Sequence, residues 1–375
     1  MERQLIIHFG AGSLGRGFIV PILTDSNCDV IVVDVNEKLI NKLKQTLEYT
    51  IYIADEEEGK RERKIKIKGA LSSINDIDEL KRVLKEVKTV TTSVRKENLV
   101  HVAKLISEVW RFDDNETRKV LCCENLENAS DYFKKLLFST VSDDKTLEQM
   151  KKIVVPDTMV DRSCSASLED DLLVYTEKFF EIGVDREVIK DTNIKLIPAV
   201  DNLKQHFYRK RFLLNTYADS VAFLGLKYNI STFGEAICDG KIQKELKPYF
   251  DLVKKSLEVG FGMNTEEIEK WNDFYRNKRN TRNDPNATSN KRALSDIARD
   301  MWRKLEREER FIKPLLILKD NNYNIDPGLN LIRDMVESEA KKSNMSKHEL
   351  INKIKDMWAI DASGEYIFDY VSQLI

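Results

Sequence analysis

Residues 5–17 of the chain read LIIHFGAGSLGRG. A short apolar run ends in glycines with the G-x-G-x-x-G spacing, and a helical pattern follows at once. In dinucleotide-binding proteins the first glycine permits a tight turn, the second lets the backbone approach a pyrophosphate, and the third allows close helix–strand packing. The helix N-terminus then presents free N–H groups to the phosphates. The pattern predicts that a dinucleotide contacts Gly10, Ala11, Gly12, Ser13, Leu14 and Gly15.

A second strand and an acidic residue follow at the expected distance. Residues 29–34 read DVIVVD, a continuous apolar run typical of a parallel strand buried on both faces. Asp34 lies where such sites place the acid that binds the adenosine ribose hydroxyls, and a carboxylate there repels a 2′-phosphate. An isolated acid at a strand end is more often simply solvated. The order of strand, glycines, helix, strand and acid instead favours a cofactor site for NAD.

The rest of the first half alternates between strand and helix patterns. Helices are predicted over residues 14–23, 37–47, 77–87 and 96–109, and strands over 50–54, 64–68, 87–94 and 119–123. Pro21 should bend or shorten the first helix, and the charged residues 55–63 are predicted to form a solvated hairpin tip. Further strands over 153–162, 172–177 and 194–197 are expected to extend the first sheet. This pattern predicts an α/β Rossmann domain over residues 1–200, with a mostly parallel sheet.

Two strand ends carry polar residues that matter for a site. Open α/β sheets bind ligands at the carboxyl ends of their strands, so Thr92 is expected to contact the cofactor. Glu124 and Asn125 follow the strand over 119–123 and form either a substrate-facing corner or a helix cap. Cys122 and Cys123 are expected to be buried core thiols, since no neighbouring base would lower their pKa.

From residue 201 the pattern becomes helical, which predicts a mostly α-helical domain over residues 201–375. Helices are expected over 202–224, 233–242, 246–259, 265–275, 294–305, 310–318, 328–338, 347–357 and 363–374. Within the first of these, Lys210 and Asn215 lie five residues apart; the two residue types suit an alcohol oxidation, but their spacing alone is only weak support for it. A buried lysine with a lowered pKa can take a hydroxyl proton, and an amide N–H can stabilise the developing alkoxide. A lysine on a helix is, however, usually just solvated.

The polar, basic residues 276–292 allow two interpretations. They form either a flexible exposed loop or a lid that attracts an anionic substrate. The formal net charge of the whole chain, −2, argues against a nucleic-acid partner, and no apolar run reaches the ~20 residues of a membrane span. The five cysteines and the absence of C-x-x-C and H-x-x-x-H motifs predict a reduced cytoplasmic protein without a structural metal.

The sequence resembles the mannitol-1-phosphate 5-dehydrogenases, a group of polyol-specific long-chain dehydrogenases within the mannitol dehydrogenase family. The resemblance begins with residues 7–19, IHFGAGSLGRGFI, and continues over most of the chain in spaced blocks. These blocks are residues 34–36 (DVN), 91–94 (TTSV), 123–125 (CEN), 160–162 (VDR), 201–203 (DNL), 210–216 (KRFLLNT) and 310–316 (RFIKPLL).

The resemblance implies an NAD-linked interconversion of a polyol phosphate with the matching ketose phosphate, D-mannitol 1-phosphate with D-fructose 6-phosphate. It implies that the helical domain takes part in substrate binding and catalysis. It implies that Lys210 is the general base, that Asn215 and Asn125 stabilise the oxyanion, and that Asp161 lines the substrate site. Arg310 and Lys313 are candidate partners of the substrate phosphate, although a structural role at a helix start fits them equally well. The chain is expected to act as a monomer or homodimer.

One departure from the family pattern affects the substrate site. The family has a histidine three residues after the asparagine, where this chain has Ala218. His206 is no substitute, because twelve residues along one helix span about 18 Å. Ser163 and Cys164 also differ from the aliphatic residue and proline usual in the family. Two alternatives therefore stand beside the leading hypothesis: a shifted sugar or sugar-acid substrate, and a non-catalytic NAD-binding protein.

Overall fold

The structure is a computed structural model that describes residues 3–54, 61–111, 116–278 and 293–375. The chain divides into two compact units, Met1–Leu203 and Lys204–Ile375. The first unit contains parallel strands and helices in alternation, and the second is helical. The predicted fold class is thereby confirmed.

Twelve strands are formed by the described residues of the first unit. They are β1 (Leu5–Phe9), β2 (Asp29–Asp34), β3 (Glu48–Ala54), β4 (Glu62–Lys66), β5 (Gly69–Ser72), β6 (Thr89–Thr92), β7 (Lys119–Cys122), β8 (Thr158–Asp161), β9 (Cys164–Ala166), β10 (Leu173–Glu177), β11 (Glu181–Asp185) and β12 (Ala199–Val200). Its helices are Val20–Asp25, Glu37–Thr46, Ile77–Glu86, Lys96–Asn98, Leu99–Val109, Ala129–Ser139 and Asp144–Lys151, with a π-helical turn over Gly15–Ile19. The two helices between β7 and β8 were not predicted.

The central sheet has the strand order β5-β2-β1-β6-β7, and all of its strands are parallel. Successive side chains of β1 point to opposite faces, so Ile6 joins one apolar cluster and Ile7 the other. Both faces are therefore buried, which explains why β1 and β2 read as continuous apolar runs. β1 lies at the centre of the sheet, and the glycine turn follows its carboxyl end.

The later strands do not extend this sheet, which corrects the expectation for residues 153–197. β10 pairs with β3 and β9 in a four-stranded sheet, β4-β3-β10-β9, and β8, β11 and β12 form a third sheet. Among the residues that the structure describes, only a bridge between Val154 and Lys119 continues the central sheet beyond β7. Residues 194–197 form a turn rather than a strand. The hairpin of β3 and β4 is confirmed, while residues 55–60 of its predicted tip lie outside the described residues.

Pro21 shortens the first helix as expected. The segment Gly15–Ile19 is π-helical, and the α-helix begins at Val20 with the proline in its first turn. Proline has no N–H to donate to the carbonyl of Gly17, four residues earlier. Arg162 Nη1 donates to that carbonyl at 3.2 Å instead. A side chain that directly follows β8 thus satisfies an acceptor that the proline leaves without its usual donor.

The second unit consists of helices in its described residues. They are Leu203–Arg209, Tyr217–Lys227, Phe233–Cys238, Gly240–Phe261, Thr265–Asp273, Leu294–Ile297, Met301–Lys304, Lys313–Asp320, Asp326–Lys342, Lys347–Trp358 and Ala362–Leu374, with π-helical segments over Lys210–Thr216 and Phe274–Lys278. The helix predicted over 202–224 is thus interrupted by a π-helical segment. The helices predicted over 233–242 and 246–259 are separated at Asp239 instead, and this residue caps the long helix Gly240–Phe261. Among the described residues, no helix is both long and apolar enough to cross a membrane.

One polar side chain lies inside the apolar run of β1. His8 is fully buried, with its Nδ1 at 2.8 Å from Thr91 Oγ1 and its Nε2 at 3.0 Å from Ser93 Oγ. Burial removes the water that would stabilise an imidazolium, which lowers the pKa of His8 from 6.5 to about 4. The ring is therefore neutral in the folded protein at pH 7.

The depressed pKa of His8 predicts a stability that falls as the pH falls. Between pH 6.5 and 4 the unfolded chain binds a proton at this position and the folded chain does not, so acid stabilises the unfolded state. The His8 contribution is complete above pH 6.5, and about 3 kcal/mol of it is lost by pH 4. Urea unfolding should show that the free energy of unfolding depends less steeply on pH in His8→Asn than in the wild type. His101→Gln, at an exposed position, is the control; an unchanged slope in His8→Asn would contradict the prediction.

Gly15 lies where the first helix approaches the strand most closely, and it supplies a second prediction. A Cβ at this position would lie 1.9 Å from the Gly10 carbonyl oxygen and 2.6 Å from His8 Nε2, whereas a Cβ at Gly12 meets nothing within 4 Å. Gly15→Ala should lower the free energy of unfolding by about 1–3 kcal/mol or more, because backbone must move. Gly12→Ala should change it by less than about 1 kcal/mol. Equal losses for the two variants in urea unfolding would show this approach to be looser than described.

Candidate functional site

The glycine turn has the backbone geometry that a dinucleotide loop requires. Gly10 has a φ of +109°, and its N–H donates to Val33 on the neighbouring strand at 2.8 Å. Residues other than glycine rarely adopt that φ. Gly12 is exposed and has open space where a Cβ would be, so a ligand can approach its backbone. Ser13 and Leu14 begin the helix, with their side chains half-buried.

Asp34 contacts the glycine turn directly. Its Oδ2 accepts a hydrogen bond from Ala11 N at 2.6 Å, and its Oδ1 accepts one from Asn36 N at 2.9 Å. Each carboxylate oxygen has two lone pairs, so these two bonds leave acceptor capacity for ribose hydroxyls. Asp34 therefore ties the end of β2 to the turn that follows β1. The sequence predicts an acid for the ribose hydroxyls at this position but gives no sign of its bond to Ala11.

Thr92 and Glu124 join the ends of two neighbouring strands. The Thr92 hydroxyl donates to Glu124 Oε2 at 2.7 Å, and the backbone N–H of Val94 donates to Glu124 Oε1 at 2.9 Å. Burial raises the pKa of Glu124, while these two hydrogen bonds act to lower it. Glu124 thus links the end of β6 to the end of β7 and does not serve as a helix cap. Asn125, the next residue, is exposed, and its predicted contact with substrate stays a prediction.

Asp161 and Arg162 lie at the end of β8. Asp161 is buried and pairs in register with Glu181 of β11. Arg162 donates from Nε to the Glu177 carbonyl at 2.9 Å and lies over the rings of Phe18 and Phe180. Arg162 therefore has a structural role. The role predicted for Asp161, lining the substrate site, remains a prediction.

The π-helical segment Lys210–Thr216 contains Lys210, the predicted general base, and Asn215, the amide predicted to stabilise the oxyanion. Five residues along an α-helix are separated by about 140° around the axis. In a π-helix the hydrogen bond runs from residue i to i+5, so residues with this spacing lie about one turn apart on one side. Lys210, which is buried, and Asn215, which is half-buried, therefore share a face. Ala218 lies three residues after Asn215 in the following α-helix and is its neighbour on that face.

A buried ion cluster follows directly after Ala218. Asp219 pairs with Lys304 at 3.0 Å and with Arg310 at 2.9 Å. Burial lowers the pKa of Lys304, although the nearby Asp219 carboxylate opposes that shift. Lys313, the other candidate for phosphate binding, contacts Glu308 at 2.9 Å. The structure thus gives Arg310 a clear role in packing the second unit, and its role toward a phosphate stays a prediction.

The basic segment predicted over 276–292 lies mostly outside the described residues. Its first residue, Arg276, is described and lies 3.5 Å from the ring centre of Tyr217 and 4.4 Å from that of Phe250. Its Nε donates to Asn272 Oδ1 at 2.7 Å, and burial lowers its pKa. Arg276 is therefore a packed residue beside the helix that carries Ala218, and not part of an exposed loop.

The cysteines and acidic residues of the described chain assemble no site for a metal ion: no group of three or more His, Cys, Asp and Glu side chains is suitably placed. Cys122 and Cys123 are buried, which raises the pKa of both thiols well above the usual value and confirms them as core residues.

Comparison with known proteins agrees with this geometry. Residues 4–197 match the family model described as the mannitol dehydrogenase Rossmann domain. Mannitol-1-phosphate 5-dehydrogenase of Lacticaseibacillus casei is 29% identical over 96% of this chain and 96% of its own length. The enzyme of the same name from Bacillus subtilis is 30% identical over 85% of this chain and 84% of its own length.

The fold also matches a solved enzyme of the same kind. Mannitol 2-dehydrogenase of Pseudomonas fluorescens, solved as a ternary complex with NAD and D-mannitol, superposes with a TM-score of 0.71. The match covers 99% of this chain and 91% of that one at 13% identity, so it bears on the fold alone. The family model and the relatives lead to one conclusion: the chain belongs to the mannitol dehydrogenase family and is an oxidoreductase of the polyol dehydrogenase class.

Proposed function

We propose that the chain is an NAD-dependent dehydrogenase that interconverts D-mannitol 1-phosphate with D-fructose 6-phosphate. The observation that carries the proposal is the placement of Lys210 and Asn215 on one face of a π-helical segment. π-Helical turns occur frequently at functional sites, since the extra residue interrupts the regular backbone hydrogen bonds. The relatives named mannitol-1-phosphate 5-dehydrogenase support the choice of substrate over other polyols.

The glycine turn of the first unit fits a dinucleotide. Gly12 presents exposed backbone with open space beside it, and the helix that begins at Ser13 has unpaired N–H groups at its start. Asp34 retains acceptor capacity for ribose hydroxyls, and its charge disfavours the extra phosphate of NADP. We therefore assign NAD as the cofactor and place its pyrophosphate on Gly10, Ala11, Gly12, Ser13, Leu14 and Gly15.

The residues of the second unit then supply the proton chemistry. Bound NAD would supply the acceptor for the hydride that leaves the carbinol carbon of the polyol. Lys210, a buried residue, is the base that takes the proton from the hydroxyl on that carbon. The Asn215 side-chain amide donates to the same oxygen as negative charge develops on it. Asn125 and Asp161 of the first unit are assigned to the substrate by the family resemblance alone.

Ala218 favours a second candidate, a relative with a shifted substrate. The family histidine would share a face with Lys210 and Asn215, near the reacting oxygen. Here that position has only a methyl group, and the preceding Tyr217 is stacked against Arg276. A sugar acid or another sugar phosphate that needs no histidine partner would account for this change. A protein that binds NAD without turnover is the remaining alternative.

Lys210 provides the direct test of the proposed chemistry. Lys210→Ala should lower turnover by roughly 10²–10⁴-fold, because the hydroxyl proton loses its acceptor. NAD affinity, measured by fluorescence of the reduced cofactor, should change little. The matched control is Lys204→Ala, which removes an exposed lysine from the helix just before this segment. Turnover in Lys210→Ala close to that of Lys204→Ala would rule out Lys210 as the base.

Ala218 provides a test of the substrate. The wild type and Ala218→His should be assayed with mannitol 1-phosphate, other polyol phosphates, ketose phosphates and sugar acids by absorbance of reduced nicotinamide. If mannitol 1-phosphate is the substrate, it should give the highest kcat/KM of the panel in the wild type. A higher value for another compound would establish the shifted substrate. NAD binding with no turnover, restored in Ala218→His, would instead indicate lost chemistry.

A further inference from the structure

The Ser93 hydroxyl, one of the two that contact His8, also forms a hydrogen bond with the glycine turn. Ser93 Oγ, 3.0 Å from His8 Nε2, donates its proton to the Gly10 carbonyl oxygen at 3.2 Å. Ser93 lies just after β6, and its backbone N–H donates to Phe9 O at 2.7 Å. A chain of polar groups therefore runs from Thr91 through His8 and Ser93 to the first glycine of the turn.

The number of protons available determines which group donates in each of these hydrogen bonds. A serine hydroxyl has one proton, so if Ser93 donates to the Gly10 carbonyl it must accept from His8 Nε2–H. Nδ1 then lacks a proton and accepts from the Thr91 hydroxyl, and all three hydrogen bonds form. With the proton on Nδ1, Ser93 would donate to Nε2, and the buried Thr91 hydroxyl would have to act as an acceptor. That arrangement makes only two bonds, so the Nε2–H tautomer is favoured.

The Gly10 carbonyl is one of several backbone groups whose hydrogen bonds hold the turn. Beyond it, the N–H of Ala11 donates to Asp34 Oδ2 at 2.6 Å. The carbonyl of Gly10 and the N–H of Ala11 belong to the same peptide unit, which is planar. Ser93, which contacts His8, is bonded to the carbonyl edge of this peptide, and Asp34 is bonded to its N–H edge. Together they set the direction in which the following backbone reaches Gly12.

We propose that His8 is a positioning residue for the nucleotide, acting through Ser93 on the Gly10–Ala11 peptide. As the neutral Nε2–H tautomer it orients the Ser93 hydroxyl toward the Gly10 carbonyl, and that bond fixes the peptide plane from which the backbone reaches the pyrophosphate. His8 itself touches no ligand. This inference rests on the proposed binding of NAD.

Two substitutions separate the two nitrogens of His8. A glutamine amide reaches about as far as Nε2 and can still donate to Ser93, whereas an asparagine amide reaches only as far as Nδ1. We expect His8→Gln to bind NAD within about threefold of the wild type, and His8→Asn and His8→Leu to bind it roughly tenfold more weakly. NAD and NADH affinities of the purified full chain are measured by titration calorimetry and fluorescence. Turnover at saturating NAD should change less than the affinity.

A matched control tests for a general loss of packing. Ile106→Ala opens a cavity at a fully buried position of the helix Leu99–Val109, in the same unit. It should lower the midpoint of thermal unfolding and leave NAD affinity unchanged. Weakened binding in Ile106→Ala equal to that in His8→Asn would overturn the proposal, as would equal affinities of the Gln and Asn variants. The Gln and Asn pair decides the matter even if His8→Leu fails to fold.

The tautomer itself can be observed without a ligand. Nitrogen-15 NMR of the wild type should show His8 protonated at Nε2 and unprotonated at Nδ1, and a proton on Nδ1 would overturn the proposal. Failure of the wild type to bind NAD or NADH would instead overturn the proposed function. Binding by the wild type that is unaffected in His8→Asn would overturn the role of His8 alone.

Discussion

The close approach of the first helix to strand β1 is the constraint on which the first unit depends. A Cβ at Gly15 would lie 1.9 Å from the Gly10 carbonyl oxygen, so only glycine permits this approach. The approach places the start of the helix directly after β1, where its unpaired N–H groups face the carboxyl end of the sheet. Gly10 reverses the chain with a φ of +109° to make the connection. The neighbouring strand ends then supply the side chains that hold this turn.

Polar groups around the turn serve the scaffold and the proposed site together. Asp34 accepts from Ala11 N while keeping lone pairs for a ribose, and Glu124 joins the ends of β6 and β7. Buried polar groups are stable only when their hydrogen bonds are made, so each of these residues is constrained by its protein partners. The end of the sheet is therefore preorganised, and binding a dinucleotide requires little further ordering of the loop.

The second unit places the proposed catalytic residues next to a buried ion cluster. Lys210 and Asn215 lie about one turn apart because the segment between them is π-helical rather than α-helical. Ala218, where the family resemblance predicts a histidine, lies on the same face, and the adjacent Asp219 pairs with Lys304 and Arg310. Moving a buried carboxylate away from its two cationic partners costs free energy, because each cation would then be buried without a counter-charge. The change at Ala218 thus sits beside a rigid cluster, which limits how the surrounding residues can compensate for it.

The sequence by itself determined the succession of strand, glycine turn, helix, strand and acid at the start of the chain, the helical second unit and the residues that the family resemblance names. Local periodicity and glycine spacing carry that information, because they depend on neighbours along the chain. Only the tertiary structure decided that β8 to β12 leave the central sheet, that the helix around Lys210 is π-helical, and that His8 reaches Gly10 through Ser93. These features depend on which distant residues meet: strand partners, backbone hydrogen-bond registers and buried donors have no signature in local sequence.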